Sequence, residues 1–200
     1  MNKIPIYQPY IARNQKKYVN QCLDDNWISS RGVFVSKFED NLNSYLGSKA
    51  VTTCSNGTVA LHLALLALDI GPGDEVIVPS FTYVASVNAI RYVGAVPVFV
   101  DINKHDWNIS CASISKKISK KTKAIMCVHI YGAPCDMNQL VKIAKENKLF
   151  LIEDCAESFG TFYQDQHVGV FGDIATLSFF GNKTITTGEG GAVFSNRVDL

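Results

Sequence analysis

"GPGDEVIVPSFTYVASVNAIRYVGAVPVFVDI", residues 71–102, decides the fold class. Gly-Pro-Gly-Asp is a strong breaker. The run Glu75–Ser80 that follows has an aliphatic centre, Val76–Val78, as in a short buried strand. Residues 82–94 then read as a helix stopped by Gly94, and residues 96–102 are aliphatic again. Strand, helix and strand in this rhythm indicate an α/β fold with a mainly parallel sheet.

The rhythm continues on both sides. Residues 59–70, "VALHLALLALDI", have helix-forming composition and end at the breaker. Downstream, residues 123–132 read as a strand and residues 137–148 as a helix with polar residues on one side. Residues 149–154, 173–180 and 190–196 read as three further strands. No repeat, low-complexity tract or linker interrupts the pattern, so 200 residues predict one domain with helices on both faces of the sheet. Ligands of such folds bind beyond the carboxyl ends of the strands. The polar residues at those ends are therefore the ones to examine.

Composition narrows the function. Hydrophobic residues make up 47% and charged residues 18%, and the net charge is +1. That balance gives no basic footprint for nucleic acid and no polybasic patch for a membrane surface. The lysines of residues 113–123 alternate with serine and apolar residues and read as an exposed face. The opening 17 residues lack the apolar core of a signal peptide, and no window approaches a transmembrane span. Six cysteines, at 22, 54, 111, 127, 135 and 155, form no C-x-x-C pair and no zinc spacing, so no metal site is expected. A reducing cytoplasm fits them best.

Four strand ends carry chemistry. In "TTCSNGTVALHLALLAL", a turn of Ser55, Asn56, Gly57 and Thr58 opens into a helix. Helix N-termini leave amides unpaired and carry partial positive charge, which suits a phosphate. Plain N-capping by Ser55 or Asn56 is the competing reading. The turn is neither a P-loop nor G-x-G-x-x-G, so nucleoside triphosphate and NAD are not indicated. In "KLFLIEDCAESFG", a strand delivers Glu153 and Asp154 to its end, and alternation puts them on opposite faces. In "LSFFGNKTITTGEGG", Lys183 follows a strand end with Ser178 before it and glycines on both sides. A lysine so placed can form a Schiff base if its neutral amine is available. Phosphate pocket, carboxylate and lysine together describe a site for pyridoxal 5'-phosphate, with Tyr83 in "PSFTYVAS" at a strand end to stack on the ring.

The chain resembles the DegT-type, pyridoxal-phosphate-dependent nucleotide-sugar aminotransferases. The segments that carry the likeness are "WISSRGVFVSKFE", "CSNGTVALHLAL", "GPGDEVIVPSFTYVASVNAI", "HIYGAPCDM", "IEDCAES" and "SFFGNKTITTGEGG". The resemblance implies the large domain of the aspartate-aminotransferase fold type I. Residues 1–200 would be the cofactor-binding part of that domain, with the family's smaller C-terminal domain lying beyond them. It makes Lys183 the catalytic, cofactor-anchoring lysine and Asp154 the partner of the pyridine nitrogen. Tyr83 falls at the ring-stacking position, and Gly57, Thr58 and Ser178 fall at phosphate-binding positions. Glu157 stands where many relatives carry Gln or His against the cofactor.

The branch that aminates C4 of a 4-keto-6-deoxy nucleotide sugar is the most similar, which implies a GDP-linked sugar as acceptor, L-glutamate as donor and a place in O-antigen synthesis. A homodimer with shared active sites follows from the same likeness. The other readings are a UDP- or dTDP-linked acceptor, a pyridoxal-phosphate-dependent sugar dehydratase, and a fragment that binds cofactor without turnover. The dehydratase relatives have histidine at the lysine position, which Lys183 opposes. His62, inside an apolar helix, reads as a core residue; His129 and His167 receive no role.

Overall fold

Every aliphatic run named above becomes a strand of one sheet in the computed structural model, which describes residues 4–200. The first three residues of the opening stretch lie outside them. Helices α1 (Arg13–Asp24) and α2 (Val33–Leu46) precede β1 (Ala50–Cys54), α3 (Gly57–Ala67), β2 (Glu75–Pro79), α4 (Val84–Tyr92) and β3 (Val96–Val100). After the short α5 (Cys111–Ile114) come β4 (Thr122–Val128), a 3-10 turn (Ile130–Gly132), α6 (Met137–Asn147) and β5 (Phe150–Asp154). A small hairpin, β6 (Phe162–Tyr163) and β7 (Gln166–His167), leads to β8 (Ile174–Ser178) and β9 (Gly191–Ser195).

The main sheet has seven strands in the order β1-β9-β8-β5-β4-β2-β3. Strands β2, β3, β4, β5 and β8 run parallel to one another, and β9 runs antiparallel between β8 and β1. Alternation along each strand separates two apolar faces. Val76, Val78, Met126 and Ile152 pack under α3 and α4 on one face. Ile77, Ile125, Cys127 and Leu151 pack under α5 and α6 on the other. Leu42 and Leu46 of α2 cover Leu177 and Phe194 on the β8–β9 side. The expected three-layer α/β architecture is therefore present. Among the described residues no helix is long and apolar enough to cross a membrane.

Chain order reverses beside β2: the chain moves outward to β3, then returns to β4 on the other side. A crevice opens at such a switch point, beyond the carboxyl ends of the strands. The loops after β1, β2, β4, β5 and β8 all rise around it. Local chemistry sets how each loop leaves its strand. Asn56 caps α3 by accepting the Val59 amide at 2.9 Å, and Asp136 caps α6 by accepting that of Gln139 at 3.1 Å. The 113–123 lysines are exposed around a buried Ile114, as read from their spacing.

Candidate active site

The crevice holds a cavity of about 390 Å³, and all seven of the residues singled out from the sequence line it: Gly57, Thr58, Tyr83, Asp154, Glu157, Ser178 and Lys183. They come from four separate strand ends, those of β1, β2, β5 and β8.

At one end, the first turn of α3 faces Ser178 at the end of β8. Asn56 engages one first-turn amide, that of Val59, so capping and an anion site coexist here. Gly57 is required by contact: a Cβ there would lie 2.9 Å from Ser178 Cβ and 3.2 Å from its Oγ. The absence of that atom lets helix and strand close on a small cradle, which two hydroxyls, of Thr58 and Ser178, border. Amides, hydroxyls and a helix N-terminus form a donor set for a phosphate group.

In the depth of the cavity stands Asp154. Its Oδ1 accepts the Ala156 amide at 3.0 Å and its Oδ2 accepts the Ser86 hydroxyl at 2.9 Å. Burial pushes this carboxyl above its ordinary range, against the pull of the Ala156 amide, the Ser86 hydroxyl and the charge of Lys183. Glu153 faces away, as strand alternation required. Its Oε1 accepts the amides of Phe171 at 2.9 Å and Gly172 at 2.6 Å, and its Oε2 that of Gly169 at 2.7 Å.

Lys183 reaches in from the loop after β8. Its Nζ lies 3.8 Å from Glu157 Oε1, and the side chain is 20% exposed. The other oxygen of Glu157 accepts the Tyr131 amide at 2.8 Å. That bond depends on the turn after β4, where Tyr131 adopts φ +50°, a conformation uncommon outside glycine. Tyr83, the N-cap residue of α4, stands at the mouth with 72% of its surface open.

The histidines resolve differently from the sequence reading. His62 is half-buried and meets Tyr92 edge-on, with ring centroids 5.9 Å apart, so it borders the core rather than filling it. His129, left without a role above, is fully buried away from the cavity: its Nδ1 accepts the Cys135 amide at 3.1 Å. The proton therefore sits on Nε2, which donates to Glu153 Oε2 at 3.1 Å. His129, Glu153 and Cys155 bring potential ligand atoms within 4.8 Å of one another, yet the lone pairs of Glu153 already serve four N–H donors. His167 accepts the Gly160 amide at 2.9 Å and lies edge-on to Tyr45 and Phe159, a structural role. Sequence reasoning missed Ser86 and Thr82. Both lie in the first turns of the expected helix, and only the fold brings Ser86 to Asp154, 68 residues away.

Taken as chemistry, the cavity offers a phosphate cradle, a buried carboxylate for a cationic ring nitrogen and a primary amine for a carbonyl carbon. A phosphorylated heterocyclic aldehyde fits that set. The family model described as the DegT/DnrJ/EryC1/StrS aminotransferase family matches residues 9–200. GDP-perosamine synthase of Escherichia coli O157:H7 is 60% identical over 98% of this chain and 54% of its own length. The aminotransferase of Psychrobacter cryohalolentis superimposes with a TM-score of 0.92 at 39% identity, over 96% of this chain and 49% of its own. The sugar aminotransferase Spr1654 of Streptococcus pneumoniae, solved in a PLP form, superimposes with a TM-score of 0.95 at 30% identity, over 100% of this chain and 55% of its own. The chain thus spans about half the length of the relatives it matches.

Proposed function

The chain belongs to the DegT/DnrJ/EryC1/StrS aminotransferase family, and from that premise we propose that it carries the pyridoxal-phosphate site of an enzyme moving an amino group from L-glutamate to C4 of a GDP-linked 4-keto-6-deoxy sugar. One observation carries the reading: Lys183, Asp154 and the N-terminus of α3 converge on a single cavity from distant parts of the chain. The likeness to GDP-perosamine synthases, at 60% and 55% identity, favours the GDP-linked acceptor and a place in O-antigen synthesis.

When bound, the cofactor supplies an aldehyde that condenses with amines and a protonated ring that withdraws electrons from them. The residues of the chain do the rest. Thr58, Ser178 and the first turn of α3 hold the phosphate. Asp154 would face the ring nitrogen and favour its protonated form. Tyr83, which lines the cavity at its mouth, would cover one face of the ring. Lys183 would anchor the cofactor through its amine and, once that amine is free, would carry protons at the donor's α-carbon and at C4 of the acceptor. Glu157, 3.8 Å from Nζ, keeps that amine turned into the cavity. A homodimer with shared sites completes the reading. The exposed aromatic rings of Phe81, Trp107 and Tyr131, which form a cluster near the mouth, support a covered assembly. Six free cysteines accord with a cytoplasmic enzyme.

The direct test incubates the protein with pyridoxal phosphate, L-glutamate and 4-keto-6-deoxy sugars carried on GDP, UDP or dTDP. Stoichiometric 2-oxoglutarate and a 4-amino sugar from the GDP compound are expected. A deoxygenated sugar formed without glutamate consumption would replace the transferase with a dehydratase.

Gly57→Ala tests the cradle. The added Cβ must displace Ser178 or α3, an overpacking that costs about 1–3 kcal/mol. Cofactor affinity is expected to fall roughly tenfold or more. Unaltered affinity in an equilibrium titration would remove Gly57 and Ser178 from the phosphate site.

A further inference from the structure

We infer that Ser86 is a positioning residue, the second member of a hydroxyl relay that runs from Thr82 at the cavity wall to Asp154 and holds that carboxylate toward the cofactor's ring nitrogen. The inference rests on the pyridoxal-phosphate reading of the cavity.

Ser86 is fully buried, where a hydroxyl needs partners. It has two: Asp154 Oδ2 at 2.9 Å and Thr82 Oγ1 at 2.8 Å. A serine hydroxyl has one proton to give. The carboxylate accepts, so Ser86 donates to Asp154 and Thr82 donates to Ser86. Thr82 lines the cavity and lies four residues before Ser86, at the entry to α4. The relay thus starts beside the ligand space and ends on the buried acid.

Two consequences follow from this geometry. Asp154 is gripped on both oxygens, by the Ala156 amide on Oδ1 and by Ser86 on Oδ2, which fixes the plane of the carboxylate. The Ser86 bond also favours the charged form, in opposition to burial, and only the charged form pairs with a protonated ring nitrogen. The first turn of α4 adds to this, because a helix N-terminus favours a nearby anion. That turn also carries Tyr83. One short segment, Thr82 to Ser86, therefore sets both the orientation of the acid and the ring-facing aromatic.

The test uses pyridoxal phosphate and its carbocyclic analogue with CH in place of the ring nitrogen. Binding to the parent, Ser86→Ala and Ser86→Cys is measured by equilibrium dialysis. The cysteine variant keeps the site filled but donates weakly, so it separates packing from hydrogen bonding. Both variants are expected to bind pyridoxal phosphate about tenfold more weakly, while binding of the analogue stays as in the parent. In an Asp154→Asn background, Ser86→Ala should add no further loss. Equal weakening toward both compounds, or undiminished binding of pyridoxal phosphate by Ser86→Ala, overturns the inference. A parent that binds neither compound overturns the cofactor reading itself, an outcome distinct from a change confined to the variants.

Discussion

Lys183→Ala is expected to lower amino-group transfer by at least about 10⁴-fold, because in the proposed reaction one amine would serve both as anchor and as proton carrier. The backbone around it does not depend on the side chain. The Lys183 amide donates to the Phe180 carbonyl at 2.9 Å, the Thr187 amide to the Phe179 carbonyl at 3.0 Å, and Phe180 bridges to Gly188. The loop after β8 should therefore keep its course, and the variant should fold as the parent does. With the parent and pyridoxal phosphate, borohydride is expected to fix the cofactor on the peptide containing Lys183; with the alanine variant no fixed cofactor is expected. Lys183→Arg sharpens the test, since it preserves the charge opposite Glu157 but offers no neutral amine. It should be as inactive as alanine. Transfer retained by either variant would assign the chemistry to another group.

The strand–helix–strand reading of residues 71–102 transferred to the structure because its signals are local. Breaker, aliphatic run and glycine stop mark β2, α4 and β3 within a few residues of their ends. The antiparallel insertion of β9 beside β8 had no such signal, because pairing direction is decided by where the chain returns, not by the strand's own residues. Strand β1 was read only as the turn that follows it; "AVTTC" is half polar, and it sits at the sheet's edge. The seven lining residues were legible because each stands at a strand end and at a matching position of the resembled family. Ser86 was not, since a serine within an amphipathic helix looks the same whether it meets solvent or a buried carboxylate. His129 was illegible for the opposite reason. It stands at a strand end, but its Nδ1 is turned inward to the Cys135 amide, a contact made only once the turn after β4 is folded.

Glu153 and Asp154 are neighbours in sequence, and their replacement is expected to have opposite effects. Glu153 is fully buried and accepts from three backbone amides and His129 Nε2. Three of these donors belong to the segment from Gly169 to Gly172, pressed against β5 and Phe194. Gly169 has φ +97°, and a Cβ there would come within 2.3 Å of the Phe194 ring, so this course is open to glycine alone. Glu153→Ala leaves four donors without an acceptor, and breaking a buried pair of this kind costs roughly 3–5 kcal/mol. Glu153→Gln recovers little, because its NH₂ would meet N–H donors, and His129 cannot exchange tautomers while Nδ1 holds the Cys135 amide. A marked fall in the urea midpoint is expected for both.

Asp154→Asn should do the reverse. Its remaining oxygen still accepts the Ala156 amide, and its NH₂ can donate to the Ser86 hydroxyl. The folded-state carboxyl is raised by burial, so the folded parent holds its proton more tightly than the unfolded chain. Stability from this group falls as pH rises from the ordinary carboxyl range through the raised value, and is level above it. Asparagine has no such dependence, so the cofactor-free variant is expected to be at least as stable as the parent at neutral pH. Transfer should nevertheless drop by about 10²-fold or more, since the charge proposed to face the ring nitrogen is gone. Urea unfolding of both variants without cofactor, beside their transfer rates with it, reads the two faces of β5 separately. A destabilised Asp154→Asn, or a stable and inactive Glu153→Ala, would mean that the catalytic and structural carboxylates have been assigned to the wrong faces.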